Sequence, residues 1–354
     1  MKNTLIEFWR FVFAINMVFY HVLGHIYDIK TGGYIGVEFF AIISGYFLAA
    51  SHKKSTKSTK KGGGILVYIK KRFVNLWPMY IAAYLISIGL HCIRTNLSLV
   101  EAITQIYGSF PEMFMLKVQA SVNGVAWFMT AMLISGIMLW ICLSIDPKQK
   151  WIPGLLLIFA IYIYSDFLHI GGHIHYTWTQ SIVSLGYDGV WRVLADMAIG
   201  VLAFLLVQDS KLQSKSKASR TILCIIGNLG LATVLIVSQF KYFGFSDFWF
   251  IFIIWCAIVC LMLSEKCTLS ENHKSKTICY LGGLAYPIYL LHVAVYEVIN
   301  DLIPISKPAF GCIVAIVITI IEAVFLKCLL NKLMQDFYKL KCLDNSKQEE
   351  DLAL

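Results

Sequence analysis

The chain has 354 residues, of which 58% are hydrophobic and only 14% are charged. Soluble domains usually carry about a quarter charged residues, so this composition excludes an ordinary water-soluble protein. The net charge of +9 would suit nucleic acid if the cations gathered on one surface. They are instead spread over the loops between apolar blocks, which argues against a nucleic-acid partner.

Ten apolar blocks follow one another along the chain, and most are close to the roughly 20 residues that cross a bilayer core. Each must be helical, because lipid cannot satisfy open backbone groups. The first block lacks a small-residue cleavage site, so it is interpreted as a span and not as a secretory signal. The predicted spans lie at about 5–25, 33–51, 74–92, 124–144, 151–168, 190–208, 220–239, 244–264, 277–299 and 307–330. The predicted fold is an all-α, polytopic membrane helical bundle embedded in the lipid bilayer.

The lysines and arginines predict the orientation of these spans. They concentrate in the even-numbered loops, and segment 52–72 alone holds eight of them. The positive-inside rule then places both termini in the cytoplasm, and the cell inner or plasma membrane is the expected location. Residues 1–335 form the predicted membrane domain, and 336–354 form a short charged cytoplasmic tail, expected to be disordered from 342. Segment 99–118 is expected to lie as a helix in the outer interface.

Cysteine and histidine clusters give no metal site in the sequence. The ten cysteines are scattered, mostly inside apolar blocks, and none forms a CxxC pair, so apolar packing is predicted for them. His169, His173 and His175 lie close together in an outer segment, where a solvated loop is the preferred interpretation.

Arg10 and His21 stand out because ionisable residues inside a membrane span are costly and usually face a partner or a cavity. Eleven residues amount to three helical turns plus about 20°, so both side chains lie on one helix face, about 16 Å apart along the axis. Arg10 then lies near the cytoplasm and His21 in the outer half of the span. A snorkelling anchor for Arg10 and an interfacial position for His21 are the structural alternatives.

Other polar residues are predicted near Arg10 at the cytoplasmic side and near His21 in the outer half of the membrane. On the cytoplasmic side, Lys70, Lys71 and Arg72 introduce the third span, either as orientation signals or as phosphate ligands.

At outer depth, Glu38 could orient His21 and stabilise its charged form. Arg192 and Asp196, at positions i and i+4, are predicted to pair on one helix face. The candidate set also includes His292 in the outer half of its span and Tyr289, which lies deeper. Trp127 completes it, with a place in the aromatic belt as the alternative. The pattern predicts an anionic ligand entering from inside and histidine chemistry nearer the outside.

Five segments together resemble the acyltransferase-3 family of integral membrane O-acyltransferases, which modify bacterial surface polysaccharides. Arg10 and His21 match that family's arginine, ten residues, histidine hallmark. The other segments are GVEFFAIISGYFL, RFVNLWPMY, AWFMTAML and YPIYLLH. The resemblance extends over nearly the whole chain, and ten spans agree with the family's fold.

The resemblance implies acyl transfer to a carbohydrate hydroxyl from acyl-CoA, most often acetyl-CoA, with no permanently bound cofactor. Arg10 and Arg72 would contact the CoA side, and His21 would be catalytic, as general base or as acyl carrier. With Glu38 beside His21 in the catalytic pair, the substrate-binding set is Arg10, Arg72, Trp127, Arg192, Tyr289 and His292.

The sequence departs from the family pattern in two places. Thr130 and Ala131 stand where many members have a glutamate after the tryptophan. The extra outer hydrolase-like domain of some members is not expected here, which leaves room for a separate extracellular transferase partner. Two other functions stay open at this point: a transporter or flippase of a lipid-linked saccharide, for which inverted repeats would be typical, and a non-catalytic membrane partner.

Overall fold

The computed structural model describes residues 3–57, 64–118, 122–146, 150–174, 187–208, 216–240, 244–264, 276–302 and 307–351. Helices and their connections make up this part of the chain, with no strand in it. The α-helices, numbered in chain order, are α1 Thr4–Tyr27, α2 Gly36–Lys57, α3 Ile65–Arg94, α4 Leu99–Gly108, α5 Phe110–Met113, α6 Trp127–Ile145, α7 Ile152–Gly171, α8 Asp188–Gln208, α9 Lys217–Ser238, α10 Ser246–Leu263, α11 Lys276–Gly282, α12 Ala285–Leu302 and α13 Pro308–Asp351. A 3₁₀ turn, Gly33–Ile35, leads into α2.

Nine of the described helices are long and apolar enough to cross a membrane by themselves. A tenth span is formed by α11 and α12 together, which meet at a bend of 45°. The sequence prediction of a polytopic helical bundle with about ten spans is confirmed.

Two predicted boundaries are wrong. Helix α3 begins at Ile65, nine residues before the predicted 74, so Lys70, Lys71 and Arg72 lie inside the helix. Helix α13 continues to Asp351, whereas the chain was expected to be disordered from 342. The physical reason is helix propensity, since no glycine or proline follows Gly311 and the last stretch is rich in Lys, Leu, Gln and Glu.

Local sequence explains where several helices begin and end. The Asn3 side chain caps α1 by accepting from the backbone N–H of Leu5 at 3.0 Å, and Asp28 ends the helix with a left-handed φ of 52°. Gly172 ends α7 in the same way, with a φ of 66°. His169 consequently lies in the last turn of α7 and not in a loop, while His175 lies outside the described residues.

Helices α2 and α8 form the tightest contact of the bundle. A Cβ atom on Gly45 would overlap the carbonyl oxygen of Met197, and one on Gly200 would overlap that of Ile42. Small residues at a membrane helix interface let two backbones approach closely. Helices α6, α7 and α10 pack around α8, while α1 packs against α11, α12 and α13.

Helices α4 and α5 form a short side element at the end of the bundle that is predicted to face outward. All residues of α4 keep partial or full exposure, and its apolar side chains, such as Leu99 and Tyr107, face outward. Helix α3 holds this element through Tyr80, whose hydroxyl donates to the carbonyl of Glu112 at 2.9 Å. The predicted helical structure within 99–118 is confirmed, and its interfacial location stays a prediction.

Candidate functional site

The first cavity, called here the inner cavity, lies at the end of the bundle predicted to face the cytoplasm. Its volume is about 200 Å³, and both Arg10 of α1 and Arg72 of α3 line it. Arg10 is held by Glu7, whose carboxylate lies 3.0 Å from the guanidinium. Arg72 lies over the ring of Tyr68, whereas Lys70 and Lys71 are exposed. Two of the four predicted basic residues therefore share one cavity, and guanidinium groups suit phosphate ligands.

The second cavity, called here the outer cavity, lies toward the other end of the bundle and measures about 360 Å³. Its lining includes four residues of the predicted site, namely His21, Trp127, Arg192 and Tyr289. Trp127 begins helix α6 and is 6% exposed, so it belongs to this interior wall and not to an aromatic belt facing lipid. A cavity of this size falls in the range of small-molecule sites.

His21 lies within a cluster of four rings contributed by α1 and α12. The His21 ring centroid is 4.9 Å from that of His292 and 5.5 Å from that of His25. Tyr296 stacks on His25 at 4.9 Å, with the two rings nearly parallel. The packing of α1 on α12 thus brings together two histidines that are 271 positions apart in the sequence.

His292 is fully buried, and its hydrogen bond defines which nitrogen carries the proton. Its Nδ1 lies 3.3 Å from the carbonyl oxygen of Ile288. Because a carbonyl oxygen only accepts, Nδ1 donates in this contact, and Nε2 is the acceptor of the neutral ring. Within the described part of the chain Nε2 has no hydrogen-bond partner. The ring therefore offers an unused basic nitrogen in the immediate neighbourhood of His21.

Glu38 does not make the contact that the sequence predicted. It is fully buried and forms an ion pair with Arg192, whose Nε donates to its Oε1 at 2.5 Å. Among the described residues no hydrogen bond joins Glu38 to His21, so the expected orienting contact is absent. Glu38 pairs with Arg192 and not with His21 because a guanidinium compensates the charge of a buried carboxylate. A neutral imidazole does not do so.

The predicted pairing of Arg192 with Asp196 is also corrected. Asp196 is fully buried and accepts a hydrogen bond from the Tyr164 hydroxyl at 2.6 Å. Arg192 instead pairs with Glu38 and donates to the carbonyl of Ile174 at 3.2 Å, while it still interacts electrostatically with Asp196. One guanidinium therefore lies between two buried carboxylates, directly at the wall of the outer cavity.

Tyr289 borders both cavities, since it is the residue common to their described linings. Its hydroxyl donates to the carbonyl of Val125 at 2.8 Å, and its ring packs edge-on against Phe128 at 5.8 Å. The predicted site residues are thereby divided into an inner pair, Arg10 and Arg72, and an outer group around His21.

Sequence reasoning missed His25 and Tyr296, although both line the outer cavity. Helical periodicity was the available signal. His25 follows His21 by four positions, and Tyr296 follows His292 by four, so each extends an already suspected helix face by one turn. Thr130, singled out in the sequence as a departure from the resembled pattern, is fully buried and donates to the carbonyl of Lys117 at 3.2 Å.

Comparison with known proteins identifies the family of the chain. The family model described as an acyltransferase domain, that of the acyltransferase-3 family, matches residues 3–327 and so includes both cavities. No curated protein and no solved structure matches the chain. The family match favours an enzyme over the transporter and the non-catalytic partner. The chain therefore belongs to the acyltransferase-3 family and is a multi-pass membrane O-acyltransferase.

Proposed function

We propose that the protein transfers an acyl group, most simply acetyl, from cytoplasmic acyl-CoA to a hydroxyl of a cell-surface or lipid-linked carbohydrate, in the cell inner or plasma membrane. The observation that carries the proposal is the separation of two cavities along one path. Arg10 and Arg72 line the inner cavity, the histidines lie at the outer cavity, and Tyr289 borders both.

The donor fits the inner cavity by its charge. Acyl-CoA carries phosphates at one end and an uncharged thioester at the other. Arg10 and Arg72 supply the cations for the phosphates, while Phe40, Ile43 and Met132 supply an apolar wall for the rest. The positive-inside rule places this cavity on the side where acyl-CoA is made.

The reaction needs a base at the acceptor hydroxyl. In the proposed step the hydroxyl oxygen attacks the thioester carbon, the C–O bond forms as the C–S bond breaks, and coenzyme A leaves as the thiol. His21 takes the hydroxyl proton and passes one to the sulfur, as expected of a side chain with an ordinary pKa near 6.5. Transient acylation of His21 would divide the same transfer into two steps.

The acceptor is proposed from the outer cavity. Aromatic and polar side chains line it together, including Tyr20, Trp127 and Tyr296, as suits a carbohydrate with hydroxyl groups and apolar ring faces. A separate extracellular transferase partner, which would carry the acyl group further, is compatible with this arrangement and is not required by it.

One variant tests the donor assignment. Arg72→Ala should raise the KM for acetyl-CoA by about 10- to 100-fold, because a charge-assisted hydrogen bond contributes about 1.5–3 kcal/mol. The matched control is Lys71→Ala, which removes an exposed cation from the adjacent position and should leave that KM unchanged. Label transfer from acetyl-CoA in membrane vesicles measures both. Equal effects of the two variants would assign Arg72 to membrane orientation alone.

The acceptor assignment has a test of its own. Mass spectrometry of surface and lipid-linked glycans should show an acyl group in cells that carry the protein and its loss in cells that lack it. Identical glycans in the two strains would contradict a carbohydrate acceptor.

A further inference from the structure

Helix α12 contributes to both cavities in the order of its residues. Ala285 and Tyr286 line the inner cavity, Tyr289 lines both, and Val293 and Tyr296 line the outer cavity. The rise of a helix places Tyr289 about 6 Å beyond Ala285 along this path. Tyr289 therefore lies at the border between the cavity of the arginines and the cavity of His21.

The Tyr289 ring is fixed at this point. Its side chain is 4% exposed, its hydroxyl is bonded to the carbonyl of Val125 at 2.8 Å, and Phe128 packs on it from α6. The ring centroid of His292 lies 5.9 Å from that of Tyr289. A large side chain held by α6 and its N-terminal connection resists rotation, so the passage beside it does not widen easily.

The inner cavity is also small. Its volume is about 200 Å³, compared with about 360 Å³ for the outer cavity. The acyl group is the end of acyl-CoA farthest from the phosphates. With the phosphates at Arg10 and Arg72, the acyl group and its thioester point toward Tyr289, where little room is left for a long chain.

We infer that Tyr289 is the partition between the donor and acceptor cavities and that it restricts the transferred group to short acyl chains such as acetyl or propionyl. This inference rests on the proposed acyl-CoA donor. It gives Tyr289 a specificity-determining role: the thioester carbonyl of a short chain passes the ring and reaches the hydroxyl near His21, whereas a long chain stops before it.

The experiment uses permeabilised membrane vesicles from the protein's own host, in which the chromosomal copy encodes the full wild-type chain or a variant. Acetyl-, butyryl- and octanoyl-CoA, each labelled in the acyl group, serve as the probes. Label transferred to the endogenous carbohydrate gives kcat/KM for each chain length. We expect wild type to prefer acetyl over octanoyl by at least about tenfold, and Tyr289→Ala to raise the octanoyl-to-acetyl ratio by at least about tenfold.

The matched control is Tyr286→Ala. Tyr286 lines the inner cavity alone, and its hydroxyl donates to the carbonyl of Leu76 at 3.0 Å. Its removal should keep the wild-type order of donors, whatever it does to the rate. Should Tyr289→Ala fail to accumulate in the membrane, Tyr289→Leu carries the test, because it removes the ring and keeps the apolar bulk near the helix.

The outcomes separate this inference from the proposed function. Efficient octanoyl transfer by wild type, or an unchanged ratio in Tyr289→Ala or Tyr289→Leu, would overturn the role of Tyr289 while leaving acyl-CoA as donor. A wild-type protein that transfers label from none of the three donors would contradict the proposed donor itself.

Discussion

At the scale of single residues, the proposed mechanism depends on the ring cluster around His21. His21 contributes to the wall of the outer cavity, and the unpartnered Nε2 of His292 lies in a ring only 4.9 Å away, centroid to centroid. In the proposed mechanism the two side chains would share the handling of one proton, and of the two only His21 lines the outer cavity.

We expect His21→Ala to lower acyl transfer by about 10²–10⁴-fold or more, because a general base contributes that factor and an acyl carrier contributes at least as much. Membrane insertion should be preserved, since removal of a polar group does not hinder a span. Surface acyl content at matched protein level measures the effect.

The control for His21 is His91→Ala, which removes a partly exposed histidine from α3 and should leave transfer at the wild-type level. Wild-type acylation in the His21→Ala strain would move the catalytic role elsewhere, and His292 would be the next residue to replace.

The charge cluster at the cavity wall gives a second residue-scale prediction. Glu38 and Asp196 are two buried carboxylates around one guanidinium. Arg192→Met leaves both carboxylates uncompensated and should destabilise the protein by about 3–5 kcal/mol, whereas Glu38→Gln leaves a balanced Arg192 and Asp196 and should cost much less.

Thermal unfolding in detergent distinguishes these cases. The double variant Glu38→Gln/Arg192→Met should be more stable than Arg192→Met alone, because it removes one of the two unpaired carboxylates. If Glu38→Gln destabilises as strongly as Arg192→Met, the charge balance described here is wrong.

The sequence was sufficient to identify several of these residues but not to predict which residues they contact. The spacing of Arg10 and His21 was sufficient to place them on one face of α1, because helical geometry alone decides it. The choice of Arg192 between Asp196, on its own helix, and Glu38, on another, depends on how α2 packs against α8. No local pattern contains that information, and the i and i+4 spacing pointed to the wrong partner.

The approach of α2 to α8 is the decisive feature at the scale of helices. Gly45 and Gly200 permit a contact that a single methyl group would block, and Glu38 and Arg192 lie about two turns away on the same interface. The glycines thereby set the distance at which the ion pair forms.

Gly45→Ala should consequently destabilise the protein by about 1–3 kcal/mol, the usual cost of overpacking, and should lower the apparent Tm in detergent. Gly89→Ala is the matched control, because Gly89 also lies within a spanning helix but has open space around its Cα. That variant should be neutral or slightly stabilising, since alanine favours helix. Equal losses in both variants would contradict the close contact.

Hydropathy predicted the existence of the spans better than their ends. The block beginning at 74 was apolar enough to be recognised, but the preceding lysines hid two further turns of α3. The end of α13 was also predicted wrongly. The charged stretch after the apolar block continues the same helix, although its length and polarity indicated disorder. In both places helix propensity extends a span beyond its lipid-facing part.

The whole molecule places its two cavities toward opposite ends of one bundle. The inner cavity includes Arg10 near the beginning of α1 and Arg72 in the first half of α3, whereas the outer cavity includes His21 and His25 near the end of α1. The function therefore depends on which end faces the cytoplasm, and the loop cations predict that it is the arginine end.

Reporter fusions test this orientation. A reporter placed after Lys60 or after Leu354 should read as cytoplasmic, and one placed within 171–189 should read as external, because cations favour the inner side. An external signal at Lys60 would invert both cavities and separate Arg10 and Arg72 from a cytoplasmic donor.

The ion pair between Glu38 and Arg192 also has a consequence for biosynthesis. The two residues are 154 positions apart, so Glu38 enters the membrane long before its partner exists. At about 5–20 residues per second, the ribosome needs roughly 8–30 s to reach Arg192. During that interval α2 holds a carboxylate without its guanidinium and cannot settle in its final place against α8. A nascent chain that stalls before Arg192 therefore stays loosely assembled around α2.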